Sequence, residues 1–327
     1  MVLIKELSES NFNDFLELLK QRGEAPEDYY RWKYLKQVIN YYPTGFVAYI
    51  DNEPVGCIGN INRTYVDIVG KEYPATFFAD WYVTQEARGK GVGVALMKQV
   101  SNLSPFGFGI PGPSNAQSVA KKAGYFPQTG YYEVSIPCLP FKFGSQQYKG
   151  NTITCILRGF RQICIRPRGA KLENIQIVEI KKESSFDYEL VKNALKREPA
   201  FIIWLYLLPQ KAENPRNWYK IITEKGWLLI YVEKDYRNIL RGRIIDFKVE
   251  NQSDNCIIEL FLGIRPFLAN MGIFFFQAYL HLESKPKLPK TYFKVVPQHV
   301  TFQTSPHFHI SIADKESGWR DFILGNG

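Results

Sequence analysis

The sequence predicts a mixed α/β protein made of two similar units in tandem, and three observations carry that prediction. Residues 76–93, TFFADWYVTQEARGKGVG, read as a strand, a turn and the start of a helix. Residues 115–125 read as a second helix whose face of small residues, Ala116, Val119, Ala120 and Ala123, stops at Gly124. Finally, Trp32-x-Tyr34-Leu35 is followed after seven residues by Pro43, and Trp204-x-Tyr206-Leu207 is followed after seven residues by Pro215. Each of these runs follows a predicted strand and helix, so the chain contains an internal repeat.

The elements follow in order. Residues 2–7 alternate as a strand, and Ser10 is expected to cap a helix whose Phe12, Phe15, Leu16 and Leu19 fall at i, i+3, i+4 and i+7. Tyr29, Tyr30, Trp32 and Tyr34 lie in the next helical segment, as core rings in preference to contacts with a substrate. Residues 45–50 and 54–60 form a hairpin about Asp51-Asn52, a third strand spans 63–69, and Gly70-Lys71 turns the chain back. Simple alternation along 76–83 puts Phe77, Ala79, Trp81 and Val83 on one face and Thr76, Phe78, Asp80 and Tyr82 on the other. Val92, Ala95, Leu96, Val100 and Leu103 then recur at helical spacing, so a helix starts inside the glycines at 89, 91 and 93. Unpaired N–H groups of that first turn, with Arg88 and Lys90 beside them, make a site for a phosphate or pyrophosphate.

Residues 106–110 are a short strand closed by Pro111-Gly112-Pro113, Ser114 to Gln117 fits a capping box, and residues 128–136 supply the next strand. Residues 151–164 form a basic amphipathic helix suited to docking between the units, with an anionic membrane surface as the alternative. The second unit opens with a strand at 175–180 and a helix over 185–197; residues 243–249 are its counterpart of 76–83. The residues that follow, 250–255, hold no glycine and no basic side chain.

With 327 residues, 45% of them apolar, the chain can build a core for each unit. Its start lacks the pattern of a signal peptide and its longest apolar block is too short to span a bilayer, so a cytoplasmic protein is expected. Five cysteines without a C-x-x-C argue for reduced thiols rather than a disulfide framework or a zinc site. His307-x-His309 has only Asp314 nearby as a further ligand, so no metal is expected. The net charge of +9 sits in the second half and in residues 137–172, which hold seven basic residues and no acidic one; no nucleic-acid-binding motif accompanies it.

The glycine spacing fails the Rossmann fingerprint at its third glycine and has no P-loop match. Arg88-Gly89-Lys90-Gly91-Val92-Gly93 instead resembles the R-x-x-G-x-G/A loop of the GNAT (GCN5-related N-acetyltransferase) superfamily, and the V-x-x-E-x-R run at 83–88 and N-A-Q-S-V-A-K-K-A-G-Y at 115–125 resemble the same family's signatures. The resemblance implies a GNAT domain at 1–138, a basic linker at 139–173 and a degenerate GNAT-like domain at 174–327 that binds no CoA. That arrangement is similar to tandem acyltransferases of bacterial surface-polysaccharide loci. Acetyl-CoA is the implied co-substrate, its pyrophosphate on Arg88, Gly89, Lys90, Gly91, Val92 and Gly93, its pantetheine along the helix at Asn115, and its thioester carbonyl on the N–H groups of Tyr82 and Val83.

Many members place a tyrosine, which protonates the leaving thiolate, where this chain has Ala120. Tyr125, Tyr131 and Tyr132 are the substitutes within reach, Tyr125 foremost; alternatively the thiolate leaves unassisted. Asp80 is the candidate base. The expected reaction is acetyl transfer to a primary amine, with an amino sugar as the implied acceptor and a protein or small polyamine as alternatives. A non-catalytic CoA-binding or scaffolding module is the competing expectation.

Overall fold

The computed structural model describes residues 1–21, 27–67, 69–109, 114–128, 131–138, 172, 174–180, 194–196, 198, 200–201, 204, 217–234, 239–249, 254–281, 294–297 and 300–302. Strands β1 (Val2–Glu6), β2 (Gly45–Ile50), β3 (Glu53–Val66) and β4 (Glu72–Val83) pair antiparallel in that order, and β5 (Phe106–Gly109) joins β4 in parallel. Asp51 and Asn52, at φ 52° and 69°, make the two-residue turn between β2 and β3, in which both central residues are left-handed. The two strands expected at 54–60 and 63–69 are one: β3 runs unbroken through Ile61 and Asn62.

Helix α1 (Phe12–Lys20) and the short α2 (Glu27–Tyr30), which continues as a π-helical turn at Arg31–Leu35, pack on one face of this sheet. Ser8, not Ser10, stands at the start of the first helical segment: its N–H donates to Asn11 Oδ1 at 2.8 Å. On the other face lie α3 (Val92–Ser101) and α4 (Ser114–Lys122). Gly124, at φ 95°, ends α4, and Tyr125 N–H closes on Ala120 C=O at 3.0 Å.

The chain continues through β6 (Phe126–Gln128), β7 (Tyr131–Pro137), β8 (Gln176–Ile180) and β9 (Ala194–Leu195), then β10 (Asn217–Thr223), β11 (Gly226–Lys234), β12 (Leu240–Val249), α5 (Asp254–Asn270), β13 (Phe275–His281), β14 (Lys294–Pro297) and β15 (Val300–Phe302). A second sheet runs β8-β10-β11-β12 antiparallel, with β13 parallel to β12 after α5. It repeats the order and directions of β1 to β5.

Each sheet is completed by strands from the other half of the sequence. β7 pairs with β13 and β14, whereas β15 pairs with β5 and β6. The single strand expected at 128–136 is therefore two, one in each sheet. The end of the helix expected at 185–197 is strand as well, Ala194 and Leu195 pairing with Val66 and Tyr65. The segments 151–164 and 205–216, and with them Tyr206, Leu207 and Pro215, lie outside the described residues, as do His307, His309 and Asp314. Among the described residues no helix is long and apolar enough to cross a membrane.

The face that carries α1 and α2 forms one core with the second sheet: Phe15, Tyr34 and Phe77 share it with Trp204, Trp218, Tyr231 and Ile245. The two repeat tryptophans meet inside it. Their rings stack at 4.2 Å and 14°, and Trp32 Nε1 donates to Trp204 C=O at 3.2 Å. With strands exchanged and a core shared, unfolding should be a single calorimetric transition. Trp204→Ala should lower stability by about 3–5 kcal/mol, the cost of truncating a buried large aromatic, without splitting that transition; two separated transitions would show that the halves are independent.

Candidate functional site

The site is built on an irregularity in β4. Cys57 of β3 faces Tyr82 and Gly59 faces Ala79, so Ile58 alone stands opposite both Asp80 and Trp81. That is a β-bulge, and Asp80 takes φ 45° within it. An inserted residue reverses the alternation beyond it. Before the bulge Ala75 and Phe77 face the α1/α2 core and Phe78 the α3/α4 core; after it Tyr82 packs on the α1/α2 core, and Trp81 and Val83 on the α3/α4 core. The uninterrupted alternation expected from the sequence thus holds only up to Ala79, and Asp80 crosses to the face opposite Phe78.

There Asp80, 7% exposed, accepts from Lys33 Nζ at 2.5 Å and Tyr34 OH at 2.6 Å, both on Oδ2. Lys33 is fully buried. Burial, and then the Asp80 charge, push the Tyr34 hydroxyl well above the ordinary tyrosine range. Both donors come from the π-helical turn, whose wider winding brings neighbouring residues to one point. Tyr34 reaches Asp80 across Gly59: a Cβ there would stand 2.2 Å from the Tyr34 oxygen. Sequence reasoning gave Lys33 and Gly59 no role and read Tyr34 as a core ring or a substrate contact, not as a donor to Asp80.

After β4, a 3-10 turn at Gln85–Ala87 leads into the glycines. Gly89 and Gly91 both have φ 80°, a conformation that side chains rarely take, and open space lies where their Cβ atoms would be. The first helical bond of α3 runs from Ala95 N–H to Gly91 C=O, so the N–H groups of Val92, Gly93 and Val94 precede the ladder. Val92 is buried, leaving only its backbone to a ligand, and Lys90 is exposed. Arg88 Nε donates to Val83 C=O at 3.3 Å and ties the loop to β4. Gly93 serves packing: a Cβ there would lie 2.8 Å from Trp81 Cζ2.

Among the described residues the sheet opens beside this loop. β4 and β5 pair from Ala75 and Phe106 to Phe78 and Gly109, where β5 ends while β4 continues to Val83. Thr84 N–H donates to Val55 C=O at 2.9 Å. Since successive strand residues direct their backbone groups to opposite edges, Tyr82 faces β3 like Thr84 and Val83 faces the edge that β5 has left. The two residues expected to act together therefore point apart.

Tyr125 is buried on the α3/α4 face, edge-on to Phe78 at 5.0 Å and beside Thr76. Among the described residues neither its hydroxyl nor Thr76 Oγ1 makes a hydrogen bond of ordinary geometry, and burial pushes the phenol above its ordinary range although the nearby Thr76 hydroxyl opposes the shift. Asp80 and Tyr125 lie on opposite faces of the sheet and are not brought together. Ala120 is buried beneath α4. Asn115 lies in α4 and Tyr131 and Tyr132 in β7, but their side chains fall outside the described residues. Cys57 and Cys138 are buried and Cys256 half-buried; all three are free thiols. Among the described residues no three His, Cys, Asp or Glu side chains cluster as metal ligands would.

Residues 5–104 match the profile of the Acetyltransferase (GNAT) family. None of the curated proteins compared matches the sequence significantly. The fold is similar to that of a GCN5-related N-acetyltransferase from Anabaena variabilis, with a TM-score of 0.57 at 15% identity over 92% of this chain and 72% of that one. It is also similar to a probable N-acyltransferase from Enterococcus faecalis (0.59, 11%, 93% and 73%). Saccharomyces cerevisiae N-myristoyltransferase with bound myristoyl-CoA gives 0.51 at 12% identity over 94% and 84%. At such identities the likeness is one of fold, and it extends over both sheets.

The glycine loop generates a direct expectation. Gly91→Val places a β-branched side chain at φ 80° and in the space before the first N–H groups of α3. Isothermal calorimetry should show coenzyme A binding lost in this variant while the chain stays folded, its unfolding midpoint lowered in line with the about 1–3 kcal/mol that a strained backbone costs; unchanged affinity would remove the loop from the ligand site.

Proposed function

We propose that this acyltransferase of the GNAT superfamily moves an acetyl group from acetyl-CoA to a primary amine by direct attack in a ternary complex. The observation that carries the proposal is the opening beside β4, where Val83 turns its backbone to the edge left by β5, a few residues before the glycine-rich start of α3. A pyrophosphate held on the first turn of α3, with Arg88 and Lys90 beside it, sets the thioester end of the same molecule along β4. The Val83 N–H then polarises the thioester carbonyl.

The amine attacks the carbonyl carbon, its proton passes to Asp80 directly or through a water, and the C–S bond breaks. Tyr125, buried on the other face with its acidity reduced, is poorly placed to protonate the sulfur. The thiolate, a weak base, leaves unassisted and takes its proton from solvent.

In this reading residues 174–327 are a degenerate GNAT-like domain. Its support is the repeated strand order ending in a parallel pair, together with a helix start at Asp254 without glycines or basic residues before it. The acceptor we favour is an amino sugar, nucleotide- or lipid-linked. Ala120 in place of the family's tyrosine favours a second reading, a module that holds CoA and catalyses nothing.

The two readings separate on thiol release from acetyl-CoA in the presence of a panel of amines: release that depends on the amine supports transfer, and CoA binding without release supports the module. Asp80→Asn should keep CoA affinity and lower turnover by roughly two to four orders of magnitude, the usual worth of general-base catalysis. The loss should shrink as pH rises, because the amine then sheds its proton without help. A loss independent of pH would remove the base from Asp80.

A further inference from the structure

The transfer reading gives Asp80 the acceptor's proton and leaves its buried setting to be explained. Asp80 Oδ2 is taken by two donors, an ammonium and a phenol, both inside the protein. Three separate features of the chain exist to bring them there. The backbone at 31–35 is wound as a π-helix, which presents the adjacent Lys33 and Tyr34 to the same atom. Position 59 is a glycine against which the Tyr34 ring lies too closely for any Cβ. Asp80 itself adopts a left-handed backbone at a bulge, a strain of about 1–3 kcal/mol that surrounding contacts must hold. Burying a lysine at 0% exposure costs more than an exposed pair returns, so stability alone is a weak reason for this arrangement.

We propose that Lys33 and Tyr34 are positioning residues that act through Asp80: by holding Oδ2 they keep the carboxylate ionised and fix its direction as it takes the acceptor's proton. The inference rests on the transfer reading above. Its chemical content is that the buried cation and the phenol favour the charged carboxylate over the neutral acid, which burial by itself would favour. They also fix the bulge, and with it the direction of the backbone from Asp80 to Val83. Among the described residues, Tyr29 and Tyr30 of α2 and Cys57 of β3 are further titratable groups packed about the cluster, and Cys57 Sγ lies 3.8 Å from the Asp80 carbonyl oxygen.

The sign follows. Removing a cation next to a carboxylate makes the carboxylate harder to ionise. The acid limb of kcat/KM should therefore move to higher pH in Lys33→Met by about one to three units, and in the same direction by less in Tyr34→Phe. CoA affinity should stay within a few-fold of the parent. In an Asp80→Asn background Tyr34→Phe should add no further loss of kcat/KM, because the residue it acts through is gone.

Kinetics would be run with whichever of ethanolamine, glucosamine, lysine or spermidine the parent chain acetylates. The same full-length proteins, labelled with carboxyl-13C aspartate and assigned by the signal missing in Asp80→Asn, give a readout that needs no turnover. The Asp80 signal should titrate at higher pH in the variants than in the parent. If Lys33→Met fails to fold, Tyr34→Phe, which removes one oxygen and no volume that Gly59 guards, decides alone. An unchanged acid limb and an unchanged Asp80 titration in Tyr34→Phe overturn the proposal. If the parent acetylates none of the amines while the NMR titration shifts as expected, the transfer reading fails and the hold on the carboxylate stands.

Discussion

A strand buried on both faces can change which side chains face which side only by inserting a residue, and β4 does so at Asp80. The inserted residue is expensive to hold: it is polar, buried and left-handed, and it lies between two apolar layers. An unpaired carboxylate there would be neutral or would break the strand. The ion pair with Lys33 and the hydrogen bond from Tyr34 offset both costs at once, so the bulge depends on a turn of helix 46 residues earlier. Everything functional downstream inherits that geometry. Trp81 is rotated beneath Gly93, where it sets the height of α3 above the sheet, and Val83 is rotated to the edge from which β5 has departed.

The second sheet solves the same packing problem in the same place. Leu229 pairs with Asp246 and Ile230 with Ile244, which leaves Ile245 as the extra residue of β12. Its faces switch there as those of β4 do: Ile244 and Phe247 pack under α5, while Ile245 joins the shared core. Here the buried acid is Asp246, whose Oδ1 accepts the N–H of Phe247 at 2.8 Å. Two bulged strands thus turn toward one core from either side, with the stacked Trp32 and Trp204 between the helical segments. The exchange of β7 and β15 makes this core a property of the whole chain, since neither sheet is complete without the other half of the sequence.

What could be seen from the sequence was local. The hairpin at Asp51-Asn52, the helix starting among the glycines and the stop at Gly124 each depend on a few adjacent residues with distinctive conformational preferences, and each lies where those preferences put it. The repeat of Trp32 and Trp204 was visible as spacing, although not that the two rings touch. The bulge left no mark, because an inserted Asp in an aromatic strand reads as one more polar position in the alternation. Nor did the π-helical turn, whose residues are ordinary helix formers. Gly59 looked like any glycine in a strand; its need appears only when Tyr34 is laid across it. Strand exchange is a matter of register between distant segments, and Gln128 to Ile136 reads as one strand whichever sheet its parts enter.

The halves differ most where topology makes them most alike, at the helix that follows the bulged strand. In the first half that helix begins behind Gly89 and Gly91, with Arg88 and Lys90 alongside, so its positive end faces outward with no counter-charge of its own. In the second, α5 begins at Asp254, and the sequence before it, residues 250–253, holds neither a glycine nor a basic side chain. It therefore lacks the residue that most readily takes the left-handed turns of Gly89 and Gly91. The two halves therefore share a strand order and a bulged strand, and they differ in the sequence that leads into the following helix, where only the first half carries glycines and basic side chains.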